Sequence, residues 1–307
     1  MTQFLIGTGG WSYFQVPSTP SLEAYSQAFN FVEVNTTFYK IPNLNLVDTW
    51  RKRVPKNFQF SVRCHKSLTH KYKLEPSEDS HSILDKMVTI CKTLRTSLLH
   101  IQVPYNITFD HSRIRRLNNL FSSTNLKGIN IAWELKDDRH QKKSSNLLRF
   151  IKDNNMIHCV DLTRKEEPTH HNETLYTRIF GKGEHNIYQP TDEELKEIHR
   201  KIIVETPKTA AVSFHSIKMY KDAARLQTYH KNGKLPMVTR STGLNSLKEV
   251  LKEDASFPSN KETLIKHQGW KLIDLTKEKR VRAFSILQRL PEKTYKSIEE
   301  VISPLKP

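Results

Sequence analysis

Polar and ionisable residues recur where the short apolar runs of this chain stop, and they do so at alternate positions. In FVEVN, Glu33 and Asn35 share one face while Val32 and Val34 share the other. QFSVRCHK sets Ser61, Arg63 and His65 against Phe60, Val62 and Cys64, and HIQVP places His100 with Gln102. AWELK pairs Glu134 with Lys136, HCVDL offers Asp161, LYTRIF offers Tyr176 and Arg178, and SFHS offers His215. Two arginines suit an anion, because a guanidinium grips phosphate or carboxylate through two parallel N–H bonds. Glu33 or Glu134 is suited to general-base work, with His65, His70 or His215 as the acid. As structure, the same set would be buried ion pairs of little net stability. As function, it is a polar pocket of the kind in which buried paired charges concentrate.

The elements that must position these residues are eight apolar runs, at 4–11, 31–39, 58–64, 97–103, 128–135, 156–162, 174–181 and 210–216. Most are rich in Val, Ile, Phe or Tyr and end at turn residues, as buried strands do. Between them lie helix-patterned segments such as SLEAYSQAF, HSILDKMVTICKTL, HSRIRRLNNLFSS, SSNLLRFIKDN and TDEELKEIHRKI, the last with a Thr191–Glu194 capping box. Eight βα units predict an α/β fold, the (β/α)8 TIM barrel, whose chemistry sits where the strands end. An open doubly wound sheet is the alternative, but GTGGWSY lacks the GxGxxG spacing and runs on toward Pro17 and Pro20. MYKDAARLQTYHKNG reads as the closing helix. Beyond it LNSLKEVLKED, SNKETLIKHQGW, KEKRVRAFSILQRL and SIEEVISPL read as amphipathic helices. The expected organisation is a barrel over 1–233, a linker over 234–243 and a small all-α domain over 244–307.

Charge narrows the partners. Across 307 residues, Lys+Arg 49 against Asp+Glu 32 leaves a net +17. Residues 235–307 hold 14 Lys and Arg against 9 Asp and Glu, so the excess is not a basic tail. A distributed positive field attracts polyanions, nucleic acid first among them. No apolar run reaches the ~18 residues of a membrane span, and the start shows no secretory pattern, so a cytoplasmic protein without membrane contact is expected. Three cysteines are too few and scattered for a disulfide framework. Alternation reads Cys64 and Cys159 as core residues turned away from the polar ring, and no cysteine nucleophile is expected.

Metal ligation has no HExxH signature, yet His, Glu and Asp at strand ends could hold a divalent ion, with Mg, Mn and Zn left open. Trp11, Tyr13, Phe14, Phe38 and Tyr39 gather near the expected mouth, where they pack it or stack a base. The loop RCHKSLTHKYKLEP, with His65, Lys66, His70 and Tyr72, is the best local candidate for tracking phosphates.

IGTGGWSY, Tyr25, VEVNTTFYKIP, Trp50, PKNFQFSVRCHKSLTH, QVP, Glu134, Asp161 and YTRIFG, in that order over roughly residues 4–230, resemble the YecE-like family, the domain of unknown function 72. The resemblance implies a TIM-barrel fold and a binding-site shape related to that of the endonuclease IV type of DNA-repair barrel. It carries over at Glu33, Asn35, Tyr39, His70, Gln102, Glu134, Asp161 and Arg178. Arg63 stands where the family usually shows Lys, Phe180-Gly181 where it shows HG, and His215-Ser216 where it shows an asparagine pair. The tail resembles a helical domain of unknown function, number 2795, which implies a binding module for protein or nucleic acid.

The reading that follows is a nucleic-acid-acting barrel, a phosphodiester hydrolase or endonuclease on damaged or single-stranded DNA, with DNA favoured over RNA. Glu33, Glu134, Asp161 and His70 are its expected catalytic groups. Arg63, Arg178, Asn35, Tyr39, Gln102, His65, His215, Trp11 and Lys66 are expected to bind substrate or phosphate. An isomerase or lyase of a small phosphorylated metabolite and a non-catalytic binding module are the alternatives.

Overall fold

The computed structural model describes residues 2–136, 144–164 and 167–306. Eight parallel strands form one sheet: β1 (Gln3–Thr8), β2 (Phe31–Val34), β3 (Gln59–Arg63), β4 (Leu98–Pro104), β5 (Asn130–Lys136), β6 (Ile157–His158), β7 (Thr174–Ile179) and β8 (Thr209–Phe214). Their order is β6-β5-β4-β3-β2-β1-β8-β7, and a parallel bridge from Val160 to Thr177 links the two edges, nearly closing the barrel. The strands alternate with helices α1 (Ser21–Ala28), α2 (Leu44–Lys52), α3 (Glu78–Leu94), α4 (His111–Ser122), α5 (Ser145–Asp153), α6 (Asp192–Glu205) and α7 (Met219–Asn232). This is the predicted TIM-barrel order.

Local chemistry sets the helix ends. Asn43, Ser77 and Asp110 accept the third backbone N–H of α2, α3 and α4. The Thr191–Glu194 box forms in both directions, at 3.3 and 2.9 Å. Gly233 closes α7 with φ +69°. In α3, Ile83, Leu84, Met87, Val88, Ile90, Cys91 and Leu94 recur every three or four residues and are buried.

Inside the barrel, Leu5, Phe31, Leu98, Ala132, Ile157, Cys159, Tyr176 and Ala211 form one apolar layer. Two residues further along each strand, the same face carries Gly7, Glu33, His100, Glu134, Arg178 and Ser213. Strand parity therefore stacks the polar ring directly on the apolar layer, at the end where βα loops emerge. Gly7 meets a tight approach there: a Cβ would lie 1.8 Å from the Phe31 carbonyl oxygen and 2.8 Å from the Tyr25 hydroxyl. That hydroxyl donates to the Phe31 carbonyl at 2.8 Å and accepts from the Thr8 backbone N–H at 2.9 Å, tying α1 to the first two strands.

Two compact units divide the chain. One runs to Ile179 and adds Arg200–His215; the other holds Phe180–His199 and everything from Ser216 onward. The division passes through α6, and α7 belongs to the second unit, so the units differ from the expected division at 233/234. The stretch expected as a linker is pinned within the second unit, where Val238 and Thr239 donate backbone N–H groups to Asp274. The C-terminal part is not all-α. Helices α8 (Gly243–Asp254), α9 (Lys261–Gln268), α10 (Phe284–Leu287) and α11 (Ile298–Ile302) are accompanied by four short strands. These are β9 (Ser259–Asn260), β10 (Leu272–Asp274), β11 (Arg280–Arg282) and β12 (Thr294–Tyr295), paired antiparallel as β10–β11 and β9–β12. Strands of two or three residues are too short to leave an alternating pattern, which is why the sequence reads as helices alone. Its core includes Leu247, Leu251, Leu264, Ile273, Leu287, Tyr295 and Val301. No helix among the described residues is long and apolar enough to cross a membrane.

Gly7→Ala is expected to lower stability by about 3 kcal/mol, because the β1 and β2 backbones meet there and neither can yield. The urea midpoint of the variant checks this; an unchanged midpoint refutes the packing.

Candidate functional site

Arg178, on β7, occupies the centre of the ring. Its Nε donates to Glu33 Oε2 at 2.9 Å and its Nη2 to Glu33 Oε1 at 3.0 Å, while Nη1 reaches Glu134 Oε2. Tyr176 donates its hydroxyl to Glu33 and lies 3.0 Å from Ser61 Oγ. His215 Nε2 stands 3.6 Å from Glu33 and 3.0 Å from Ser213 Oγ. Burial alone would raise the Glu33 pKa, but Arg178 and His215 hold it well below the usual carboxylate range. Glu33 is thus a fully buried anion with both oxygens engaged.

Glu134 is arranged differently. His100 Nε2 at 2.7 Å, Gln102 Nε2 at 3.2 Å and Arg178 all meet its Oε2, and Oε1 takes no hydrogen bond among the described residues. Its side chain is 14% exposed, whereas Glu33 is fully covered. Burial opposes its ionisation, yet Arg178 and His100 hold its pKa far below normal. The result is an ionised carboxylate with one oxygen anchored and one open to accept a hydrogen bond.

Arg63, at the end of β3, has neutral hydrogen-bond partners among the described residues. Its Nη1 donates to Asn35 Oδ1 at 2.5 Å and its Nη2 to Gln102 Oε1 at 2.6 Å, and the guanidinium lies 3.7 Å from the Phe38 ring centre. Its Nε is buried without a hydrogen bond. Burial lowers its pKa and the charge of Arg178 presses the same way, though a guanidinium stays protonated throughout. Gln102 therefore connects this cation to Glu134.

The loop after β3 makes the rim, its wide helical turn running over Ser67–Lys71. His65 bonds the Tyr39 carbonyl through Nε2 at 3.4 Å, and the Lys66 amine lies 5.7 Å from the Tyr39 ring centre. His70 is exposed, with Nδ1 2.8 Å from Thr69 Oγ1. Partial burial lowers the His70 pKa, and the charges of Lys136, Arg63 and Lys66 add to that. Trp11 packs edge-on against Trp50, ring centres 5.4 Å apart.

The ring thus brings together Glu33, Arg178, Glu134, Gln102, Arg63, Asn35 and His215, with Tyr39, His65, Lys66 and His70 at the rim. Two expectations change. Asp161 is engaged in its own turn, accepting Thr163 N at 2.9 Å and Thr163 Oγ1 at 2.6 Å, and Arg164 lies 3.8 Å away. The metal-capable cluster among the described residues is His100, Glu134 and Cys159, whose donor atoms lie within 4.8 Å of one another. Cys159 accordingly points into the barrel, in the same layer as Ile157. Positions 157, 159 and 161 have the same parity, so turning Cys159 outward was inconsistent with turning Asp161 inward. Cys64 is buried, and so far from ionising that its thiol is pushed up to about 12. His100 was legible from its pairing with Gln102, but nothing in the sequence shows it bonded to Glu134.

A family model described as Protein of unknown function DUF72 matches residues 5–240. The UPF0759 protein YecE of Escherichia coli K12 is 36% identical over 59 residues, 19% of this chain and 22% of that protein. The UPF0759 protein YunF of Bacillus subtilis 168 is 33% identical over 101 residues, 31% of this chain and 35% of that protein. These matches span between about a fifth and a third of the curated relatives' length. Among solved structures, a DUF72 family protein from Thermotoga maritima MSB8 superposes with TM-score 0.59 at 19% identity, covering 75% of this chain and all of that one. A DUF72 family protein from Enterococcus faecalis V583 gives 0.58 at 17%, covering 76% and 98%. Both support the fold.

His100 gives the ring a signature in stability. Burial and the Arg178 charge push its pKa down to about 4, against 6.5 for the free side chain. The unfolded chain binds this proton first, so stability is full above pH 6.5 and declines as pH falls toward 4. At pH 5 the loss from this group is about 2 kcal/mol. Urea unfolding at pH 5 and 8 is expected to show His100→Gln losing less on acidification than the unmodified chain; equal losses would refute the assignment.

Proposed function

Because the chain belongs to the DUF72 family of proteins of unknown function, its chemistry has to be argued from the ring itself, and we propose a phosphodiester hydrolase acting on nucleic acid, DNA in preference to RNA. The observation that carries this reading is Arg63, a buried cation whose hydrogen-bond partners are neutral, next to a carboxylate with a free oxygen. Arg63 would meet a non-bridging phosphate oxygen. Glu134 Oε1 would accept a hydrogen bond from the attacking water and orient it, and the water's proton passes to solvent as the new P–O bond forms. The bond to the leaving oxygen then breaks, and His70 supplies its proton. The net +17 draws the polyanion in. A divalent metal would find its donors at His100, Glu134 and Cys159, a set whose imidazole and thiol suit Zn rather than Mg or Mn. We place the activity in the cytoplasm, consistent with three buried free thiols, and assign the C-terminal unit a partner-binding role.

A second reading, an isomerase or lyase of a small phosphorylated metabolite, is favoured by the depth of the ring. Glu33, His100 and Arg178 are buried and Arg63 nearly so, a position a small molecule enters more easily than a backbone.

The test is binding and cleavage of labelled single-stranded, duplex and abasic DNA, and matching RNA, across a salt series with each metal. Glu134→Gln is expected to abolish turnover and keep salt-dependent binding, while Arg63→Met weakens binding and Arg63→Lys largely preserves it. Since the His70 pKa is held below its ordinary 6.5, turnover should be highest in mildly acidic solution and fall as pH rises toward 6.5. Undiminished cleavage by Glu134→Gln would remove that residue from the mechanism. Thermal stabilisation by sugar phosphates but not oligonucleotides would favour the second reading, and binding without cuts would leave a binding module.

A further inference from the structure

Three tyrosines stand out among the exposed apolar side chains of the first unit: Tyr13 at 83%, Tyr39 at 62% and Tyr105 at 57%. An exposed tyrosine ring leaves apolar surface in water, and topology places all three at one end of the barrel. Tyr13 lies in the loop after β1, Tyr39 in the loop after β2, and Tyr105 directly follows β4. The strands β1 to β5 are consecutive neighbours in the sheet, so their loops follow one another around the mouth. The loop after β3, between those of Tyr39 and Tyr105, supplies Lys66 and Lys71, and Lys136 ends β5 beyond Tyr105. Lys66 is 5.7 Å from the Tyr39 ring centre, and Lys66, Lys136 and Arg63 all act on His70.

We propose that this arc of tyrosines and lysines is a stacking track for single-stranded nucleic acid, which threads unpaired bases over the rim and lowers one phosphate toward Arg63. This rests on the reading of the mouth as a nucleic-acid site and names its substrate form. Exposed aromatic rings interleaved with cations are how sequence-tolerant single-strand binders work, because every base has a π-face and every linkage a charge. A duplex keeps its bases stacked on one another and presents only its phosphates, so it gains from the lysines and not from the tyrosines. The rim contacts predict discrimination by strandedness, not by sequence.

The experiment measures anisotropy of a labelled twelve-residue oligothymidylate, the matching oligouridylate and a twelve-base-pair duplex with the full chain, over a salt series. Tyr39→Ala is expected to weaken single-strand binding roughly 5- to 150-fold, with the salt slope unchanged and duplex binding unaffected. Tyr13→Ala and Tyr105→Ala act in the same direction, and Tyr39→Phe, which keeps the ring, retains affinity. Lys66→Gln instead lowers the single-strand salt slope by about 0.7. Circular dichroism of each variant confirms that the fold is intact. If single strand and duplex bind equally and the three alanine variants match the unmodified chain, the stacking track is wrong while the nucleic-acid reading stands. If nothing binds at low salt, the nucleic-acid reading itself fails and the track falls with it.

Discussion

The ring depends on one guanidinium shared between two carboxylates inside a barrel. A buried carboxylate without a partner would take up a proton, since ionisation in a low dielectric is too costly. Arg178 prevents this twice, gripping Glu33 through two N–H groups and Glu134 through a third. Tyr176 adds a bond to Glu33, and His100 and Gln102 add theirs to Glu134 Oε2, leaving its Oε1 open. Removing Arg178 would leave two like charges facing each other, which is why a buried pair is far costlier to break than its net contribution suggests.

That constraint also divides the labour among residues that look equivalent. Glu33 and Glu134 sit on the same kind of strand position, yet the first has both oxygens engaged and the second has one anchored and one open. Arg178 and Arg63 differ in the same way. Arg178 is saturated by carboxylates, while Arg63 is held by the carbonyl oxygens of Asn35 and Gln102 and keeps its full charge. Taken together the four ions cancel, so an entering phosphate makes the mouth negative unless the rim compensates. Lys66 and Lys136, both exposed, stand where that compensation is needed.

Much of this was legible in the sequence because a strand's parity is strict. Once Phe31 is assigned inward, Glu33 must follow it, and the same step takes Leu98 to His100 and Tyr176 to Arg178. What parity cannot supply is who meets whom across the barrel. The sequence places Arg178 among anion binders; only closure of the sheet turns it onto carboxylates of β2 and β5. Cys159 was misplaced where regular strand is shortest, since β6 keeps only Ile157 and His158. The four short strands of the C-terminal part were missed because pairs of two or three residues are fixed by tertiary packing, not by any periodicity of their own.

If the ring works as proposed, its depth and the character of the rim constrain the substrate jointly. A duplex is stiff, with its phosphates spaced along a wide cylinder, and it cannot bend one linkage into a mouth whose working groups are buried. A single strand rotates freely about its backbone, so one phosphate can descend while the bases on either side remain above on an aromatic surface. A small phosphorylated molecule would reach the same oxygen of Glu134 but would leave three exposed tyrosines with nothing to contact. On the proposed reading, deep charges and shallow aromatic rings are one requirement seen at two levels, that of a flexible polyanion held by its bases while its backbone is worked on below.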